Sequence, residues 1–221
     1  MDNSNYRNQI LELVKPYYNE ADKGDFSHNS SHFFRVEALA KKMAKEENAD
    51  MEIVEASSLI FDVARLMEDR GEVTDHAEKG VEIAREILGK INFPNEKIEN
   101  VCHSILSHRR SKDRVPETIE AKILRDADYL DAMGAVDIAR MTASCLQSVK
   151  YKKPIYVDIP YDENKEMENE SMIHFLLYKI KHPKHQPENF YTNLGKKLAI
   201  ERFEYMKEFA ERFISEWHGE K

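Results

Sequence analysis

The chain of 221 residues is long enough to bury a sizeable core, and its 41% hydrophobic and 10% aromatic residues exclude a disordered or low-complexity protein. Its net charge of −8 disfavours binding to nucleic acid through a broad basic face. Cys102 and Cys145 lie in apolar stretches and indicate reduced core thiols, and the sequence shows neither a signal peptide nor a run of about 18 apolar residues, so we expect a cytoplasmic protein without a membrane span.

Apolar residues recur at every third or fourth position along nearly the whole chain, which predicts an all-α fold. The six apolar stripes of the first half begin, in chain order, at Tyr6, Val36, Ile53, Val81, Ile98 and Ile119. Ser30 or Ser31 is predicted to cap the second helix and Thr74 the fourth, because hydroxyl groups accept hydrogen bonds from free backbone N–H groups at a helix start. Pro94 and Pro116 mark the starts of the fifth and sixth helices.

The second half is predicted to be helical except for two irregular segments. Helices are predicted over about 130–149 and over 198–217, where the apolar stripe continues to the end of the chain. Residues 151–170 contain two prolines and the acidic run DENKEMENE, which predict a solvated loop with at most a short extended piece at IYVDIP. The segment 181–189, KHPKHQPEN, is the other irregular piece.

Histidines carry most of the chemical signal in this sequence, because four of them lie at or near predicted helix ends. His28 and His32 flank the start of the second helix, His76 opens the fourth and His108 closes the fifth. Helix ends converge at one end of a bundle, and bundles build polar and metal sites from such side chains. A lone histidine is usually a surface or satisfied core residue, so it is their grouping that points to a functional site.

Acidic residues within apolar helices are the second signal. Asp62 lies in the run ASSLIFDVARLM and is predicted to lie inside a helix, where a carboxylate is costly unless it is paired or bound to metal. Asp126, Asp128 and Asp131 follow in LRDADYLDAMGA. Taken alone, these three residues leave two interpretations open, a functional site or favourable charge and capping at a helix start.

The sequence resembles the HD-domain phosphohydrolase superfamily through five ordered segments: SHNSSHFFRV, LIFDVARL, DHAEKGVEIAREIL, ILSHRRS and PETIEAKILRDADYLDAMGA. FLLYKIK and KKLAIERFEYMKEFAERFISEW resemble the closing helices of its small stand-alone bacterial branch, so the likeness covers about residues 6–218. It implies an all-α HD-domain helical bundle with a C-terminal helical extension. The expected organisation is a single domain, residues 1–221, with an HD-like core at about 20–150, a loop at 151–170 and C-terminal helices at about 171–218.

The resemblance further implies one divalent metal, which could be Mn, Fe, Mg, Co or Ni. The family pattern is a His, an adjacent His-Asp pair and a distant Asp, and the matching ligands here are His32, Asp62 and Asp128, with Asp126 as the weaker choice for the last. Imidazole and carboxylate donors together suit such ions and leave coordination positions open for water and a phosphate oxygen.

Two positions depart from the family pattern. Phe61 stands where the name-giving pair has its histidine, and phenylalanine cannot bind a metal. Asn29 stands where the family usually has an acidic residue. His76 and His108 match family positions near the same pocket, so either of them could supply the missing imidazole.

The remaining matches imply contacts with a phosphorylated substrate. The residues implied in catalysis are His28, Arg35, His76 and His108. The residues implied in phosphate binding are Arg109, Arg110 and Lys122. His28 is expected to donate to a phosphate or to act as a general acid near neutral pH, and the two adjacent arginines can bind phosphate oxygens as a fork. A surface ion pair for Arg35 and a solvated charge for Arg110 are the alternatives.

Two functions follow from the resemblance and its departures. The first is a metal-dependent phosphohydrolase acting on a nucleotide or another small phosphate ester. The second, favoured by Phe61 and Asn29, is a degenerate HD domain that lacks catalysis and serves as a nucleotide- or phosphate-binding sensor or an interaction module. In either case the expected partner is a small phosphorylated molecule. The sequence leaves the oligomeric state open, and a homo-oligomer is one of the alternatives.

Overall fold

The computed structural model describes residues 4–24, 29–148 and 150–221, and within these ranges it contains helices but no β-strand. The predicted all-α fold is therefore confirmed. The described chain divides into two compact units, residues 4–24 with 29–129 and residues 130–148 with 150–221. No helix in the described ranges is long and apolar enough to cross a membrane.

The first unit holds the described residues of the five segments that resemble the HD motifs, apart from the last residues of the fifth. Its helices are α1 (Ser4–Ala21), α2 (Ser30–Glu47), α3 (Met51–Ile60), α4 (Arg65–Asp69), α5 (His76–Lys90), α6 (Asn95–Ser107) and most of α7 (Ile119–Asp131). Helix α3 packs against α1, α2 and α6, and α5 packs against α6. Fully buried side chains such as Val36, Leu59, Ala84 and Ile105 fill the space between them, as their helical spacing predicts.

Two helix starts are capped by residues other than the predicted ones. The N-cap of α2 is Asn29 rather than Ser30 or Ser31, and its side chain accepts a hydrogen bond from the backbone N–H of Ser31. The N-cap of α5 is Asp75 rather than Thr74, and its carboxylate accepts from Ala77. Both predictions were therefore wrong, by one or two residues at α2 and by one residue at α5, where Asn and Asp serve at least as well as Ser and Thr.

The prediction that Asp62 lies inside a helix is also wrong. Helix α3 ends at Ile60, and a turn over residues 61–64 separates it from the short α4. Asp62 lies in this turn, and its side chain is 11% exposed. The chain therefore presents Asp62, like His76 and His108, from the end of a helix rather than from its middle.

The second unit consists of α8 (Gly134–Gln147), α9 (Met172–Lys181) and α10 (Asn193–Trp217), and α10 packs against both other helices. The described residues of 150–171 form neither helix nor strand, so the loop is as predicted and IYVDIP is not a strand. Helix α8 starts four residues later than predicted, because Gly134 has a φ of 80° and separates it from α7. Residues 181–189 contain two short 3-10 turns.

A buried ion pair links α8 to α9. The Lys179 ammonium group donates to the Asp137 carboxylate at 2.5 Å and to the backbone oxygen of Ala132 at 2.7 Å. Both charged residues are buried. A charge in such a place is tolerated only with its partner, so the pair fixes how these two helices meet.

Replacing Lys179 with methionine is expected to lower the free energy of unfolding by about 3–5 kcal/mol, because the carboxylate of Asp137 would stay buried without its partner. The double variant Lys179→Met/Asp137→Leu should recover most of this loss. Urea denaturation followed by circular dichroism measures both. Lys207→Met, which removes an exposed pair with Glu204, is the control and should change stability by less than about 1 kcal/mol. Equal stability of Lys179→Met and the unmodified protein would contradict the prediction.

Candidate metal centre

Three side chains from three helix ends meet in the first unit. Asp62 comes from the turn after α3, His76 is the first residue of α5, and His108 directly follows α6. Each of them offers one donor atom, and these three atoms lie within 4.8 Å of one another. His76 and His108 are 1% and 3% exposed, so the donors face an interior space rather than bulk water.

The distances within this cluster are short and centred on two imidazole nitrogens. His76 Nε2 lies 3.0 Å from Asp62 Oδ1 and 3.3 Å from His108 Nε2. His108 Nε2 lies 3.9 Å from the same Asp62 oxygen. The other ring nitrogen of His108 is 2.6 Å from the backbone oxygen of Ile105, so Nε2 is the atom that His108 presents to the cluster.

His32 and Asp128 form a neighbouring pair that touches this cluster. His32 Nε2 lies 3.5 Å from Asp128 Oδ1 and 3.9 Å from Asp62 Oδ2. Asp126 is fully buried, with Oδ1 4.0 Å from an Arg110 nitrogen. The structure thus places Asp128 against His32 and Asp126 beside Arg110, and Asp62 is the residue that joins the pair to the cluster.

Phe61 occupies the space between two of the imidazoles. Its side chain is fully buried, and its ring centroid lies 5.5 Å from that of His32 and 5.1 Å from that of His108, edge-on in both cases. Phe33 packs on it at 5.7 Å. The residue next to Asp62 therefore faces the same site, but it contributes an apolar wall where an imidazole would contribute a ligand.

The pKa values of the three residues of the cluster are shifted in different directions. Burial opposes ionisation of Asp62, but the charge of His76 holds the pKa of this carboxyl well below its usual range. Burial also opposes protonation of His76, yet the adjacent Asp62 carboxylate raises the pKa of its imidazole above the ordinary value. Burial, reinforced by the charge of His76, lowers the pKa of His108 to about 3. His108 is therefore neutral at physiological pH, which is the state that binds a metal.

A second carboxylate, which the sequence did not single out, contacts His76 from the opposite side. Glu68 Oε2 lies 2.6 Å from His76 Nδ1 and also accepts from the backbone N–H of His76 at 2.8 Å. Partial burial of Glu68 opposes ionisation, but these hydrogen bonds lower the pKa of its carboxyl to about 2. No local sequence pattern predicts a role for Glu68, because it lies on the short helix α4, eight positions before His76.

The residues predicted to contact the substrate have separate surroundings in the structure. Arg109 donates to both carboxylate oxygens of Glu68 and to Asp75, so its fork is occupied by side chains of the protein. Arg110 places its guanidinium 3.7 Å above the ring of Tyr129. Three others complete the set: Arg35 donates to Ser31 Oγ at 2.8 Å, Lys122 is half-buried on α7, and His28 lies outside the described residues.

The donors of the cluster fit a divalent metal. Asp62, His76 and His108 offer two imidazole nitrogens and one carboxylate oxygen, a donor set that suits Mn²⁺, Fe²⁺, Co²⁺ and Ni²⁺. The Nδ1 atoms of His76 and His108 are both engaged by oxygen atoms, which leaves their Nε2 atoms facing each other and Asp62. Metal-binding histidines usually have their second ring nitrogen engaged in this way.

Comparison with known proteins places these features in a family context. Residues 29–133 match the HD domain family. A predicted HD superfamily hydrolase from an uncultured Thermotogales bacterium has a similar structure, with 30% sequence identity, a TM-score of 0.66, and alignment over 95% of this chain and 92% of its own. YpgQ of Bacillus subtilis, solved in complex with ADP, aligns over 98% of this chain and 96% of its own, with 26% identity and a TM-score of 0.71.

The sequence likeness to YpgQ is more local than the structural one. The uncharacterized protein YpgQ of Bacillus subtilis is 31% identical over 137 residues, which are 60% of this chain and 62% of that protein. Such alignments span about three fifths of the length of the curated relatives that the chain matches. The family likeness therefore supports the described fold over nearly the whole chain and the sequence motifs over part of it.

Proposed function

Because this chain belongs to the HD-domain superfamily, we propose that it is a metal-dependent phosphohydrolase acting on a nucleotide or another small phosphate ester. The observation that carries the proposal is the meeting of Asp62, His76 and His108 within 4.8 Å. Fold alone does not determine activity, so this cluster is what favours catalysis over a purely structural role. Its donors would replace the imidazole that is missing at Phe61.

In this proposal the metal is held by Asp62, His76 and His108, with His32 and Asp128 beside it. Two imidazoles favour Mn²⁺, Fe²⁺, Co²⁺ or Ni²⁺ over Mg²⁺. When bound, such a metal acidifies a water molecule and polarises the phosphorus centre. The Asp128 carboxylate, 3.5 Å from His32 Nε2, would hold that nitrogen beside the site.

In this proposal, basic residues would bind the phosphate groups of the substrate. We assign this role to Arg110, whose stacking on Tyr129 limits its orientations, and to Lys122 and Arg35. Arg109 would reach a phosphate only by leaving Glu68 or Asp75. The ADP bound to YpgQ supports a nucleotide as the substrate class.

Activity is expected to require added metal. Protein stripped with a chelator should release phosphate or pyrophosphate from nucleoside mono-, di- or triphosphates only after Mn²⁺ or Fe²⁺ is restored, because the three donor atoms of the cluster would hold the metal that activates water. Glu82→Ala, which removes an exposed carboxylate on α5, is the control and should retain full activity. Absence of product from all of these substrates with either metal would contradict the proposal.

A degenerate, non-catalytic domain is the second candidate function, favoured by the burial of Phe61 between His32 and His108. Such a domain would bind a nucleotide without needing a metal. Thermal unfolding distinguishes the two, because any ligand that prefers the native state raises its stability. Stabilisation by a nucleotide in the presence of a chelator, without hydrolysis in the presence of metal, would favour the sensor.

A further inference from the structure

His76 lies between two carboxylates that contact different nitrogens of its ring. Nε2 faces Asp62 Oδ1 at 3.0 Å, and Nδ1 faces Glu68 Oε2 at 2.6 Å. A carboxylate is an acceptor only, so in the metal-free protein each of the two carboxylates faces a ring nitrogen that can carry a hydrogen, and the shorter of the two contacts is the one between Nδ1 and Glu68. When the ring loses one hydrogen, as it must to bind a metal, the shorter hydrogen bond to Glu68 favours keeping the other on Nδ1, which leaves the lone pair on Nε2 beside Asp62 and His108.

Glu68 is itself held in place by contacts at both of its oxygens. Oε2 accepts from the backbone N–H of His76 at 2.8 Å and from Arg109 Nη1 at 2.8 Å, and Oε1 accepts from Arg109 Nη2 at 3.1 Å. This two-point pairing fixes both the position and the plane of the carboxylate. Arg109 Nη1 also donates to Asp75 Oδ1 at 3.1 Å, and Asp75 caps the helix that His76 begins.

These contacts form a closed arrangement around the first turn of α5. Asp75 sets the start of the helix, Arg109 links Asp75 to Glu68, and Glu68 holds both the backbone and the ring of His76. The side chains of Glu68 and Arg109 are only 20% and 14% exposed, so water competes weakly for their hydrogen bonds. An ordinary surface ion pair between Glu68 and Arg109 would not also contact the imidazole and the backbone of His76.

We propose that Glu68 is a positioning residue, which fixes the ring orientation and the Nδ1-protonated tautomer of His76, and that Arg109 fixes Glu68. The inference rests on the proposed metal centre, since it explains how His76 presents Nε2 to a metal. Outer carboxylates of this kind orient a ligand and increase its basicity. Arg109 thereby acquires a role other than the phosphate contact predicted from the sequence.

The test compares Glu68→Gln with Glu82→Gln, which alters an exposed glutamate on the same helix α5 as His76. Calorimetric titration with Mn²⁺ alone should show affinity lowered by roughly 10–100-fold in Glu68→Gln and unchanged in Glu82→Gln. Arg109→Lys, which keeps the charge but loses the two-point pairing, should give a smaller loss. Unchanged Mn²⁺ affinity in Glu68→Gln would overturn the inference.

A second readout does not need the metal. In metal-free protein at alkaline pH, the ¹⁵N chemical shifts of the His76 ring should report a hydrogen on Nδ1, and Glu68→Gln should shift the tautomer population toward Nε2. An unchanged tautomer would overturn the inference even if no protein variant binds Mn²⁺. Conversely, a tautomer shift in a protein that never binds metal would support the positioning role and reject the proposed metal centre. Arg109→Lys provides the same measurement if Glu68→Gln does not fold.

Discussion

Asp62→Ala is expected to abolish metal retention. Asp62 supplies the only carboxylate in the three-residue cluster of the described chain, and one of its oxygens lies within 4 Å of both His76 Nε2 and His108 Nε2. Losing an outer carboxylate already costs roughly 10–100-fold in affinity, so losing this ligand should cost more. Elemental analysis of tag-free protein, as purified and after incubation with Mn²⁺, measures the metal content directly.

The fold should survive this substitution, because His76 keeps its hydrogen bond to Glu68 when Asp62 is removed. Thermal unfolding provides the check. Metal at a hundred times its Kd stabilises a native protein by about 2.7 kcal/mol, and this increment should appear in the unmodified protein and in Glu82→Ala but not in Asp62→Ala. Metal retained at the unmodified level in Asp62→Ala would show that the site lies elsewhere in the chain.

The helices were predictable because each of them buries a stripe with the helical period, as Ile83, Ile87 and Leu88 do on α5. Their starts were less predictable, since several good capping residues follow one another in the sequence. Asn29 caps α2 because its backbone is extended, with φ −86° and ψ 175°, while Ser30 is already helical. Which residue takes the extended conformation is decided by the loop before the helix, and periodicity carries no information about it.

The same limit applies to Asp62. An apolar run that continues on both sides of it reads as one helix, yet α3 ends at Ile60 and the run continues through a turn into α4. The apolar residues on both sides of Asp62, including Phe61 and Val63, are buried in the turn. A continuous helix would also present apolar residues to the core, so the apolar pattern does not distinguish a turn from a helix here.

The residues of the candidate site could be predicted where they lie in recognisable motifs. They could not be predicted where their role depends on contacts between distant positions of the chain. His76 and His108 were expected near one pocket, and the structure brings their Nε2 atoms to 3.3 Å. Glu68 carries no such mark, because its role depends on Arg109, 41 positions later in the chain, and on the turn that returns the chain to His76. Pairings of this kind are decided by packing rather than by local sequence.

Phe61→His is expected to raise Mn²⁺ affinity by at least about tenfold, because position 61 lies between His32 and His108 and an imidazole there would add a nitrogen ligand. The same substitution buries a polar ring in place of an apolar one. The metal-free variant should therefore be less stable by about 1–3 kcal/mol. Titration calorimetry and urea denaturation, each with and without Mn²⁺, measure the two opposing effects. If the hydrolase proposal holds, the rate of phosphate release should rise as well.

Phe93→His is the matched control for this substitution. Phe93 is as well buried as Phe61, but its ring packs edge-on against Tyr6 at 5.1 Å. The control should show the loss of stability without the gain in metal affinity. Unchanged affinity in Phe61→His would mean that position 61 does not reach the metal, despite facing His32 and His108. The two variants make the same chemical change at buried positions. A gain in Mn²⁺ affinity that is seen only in Phe61→His would therefore be caused by the location of the new imidazole beside Asp62.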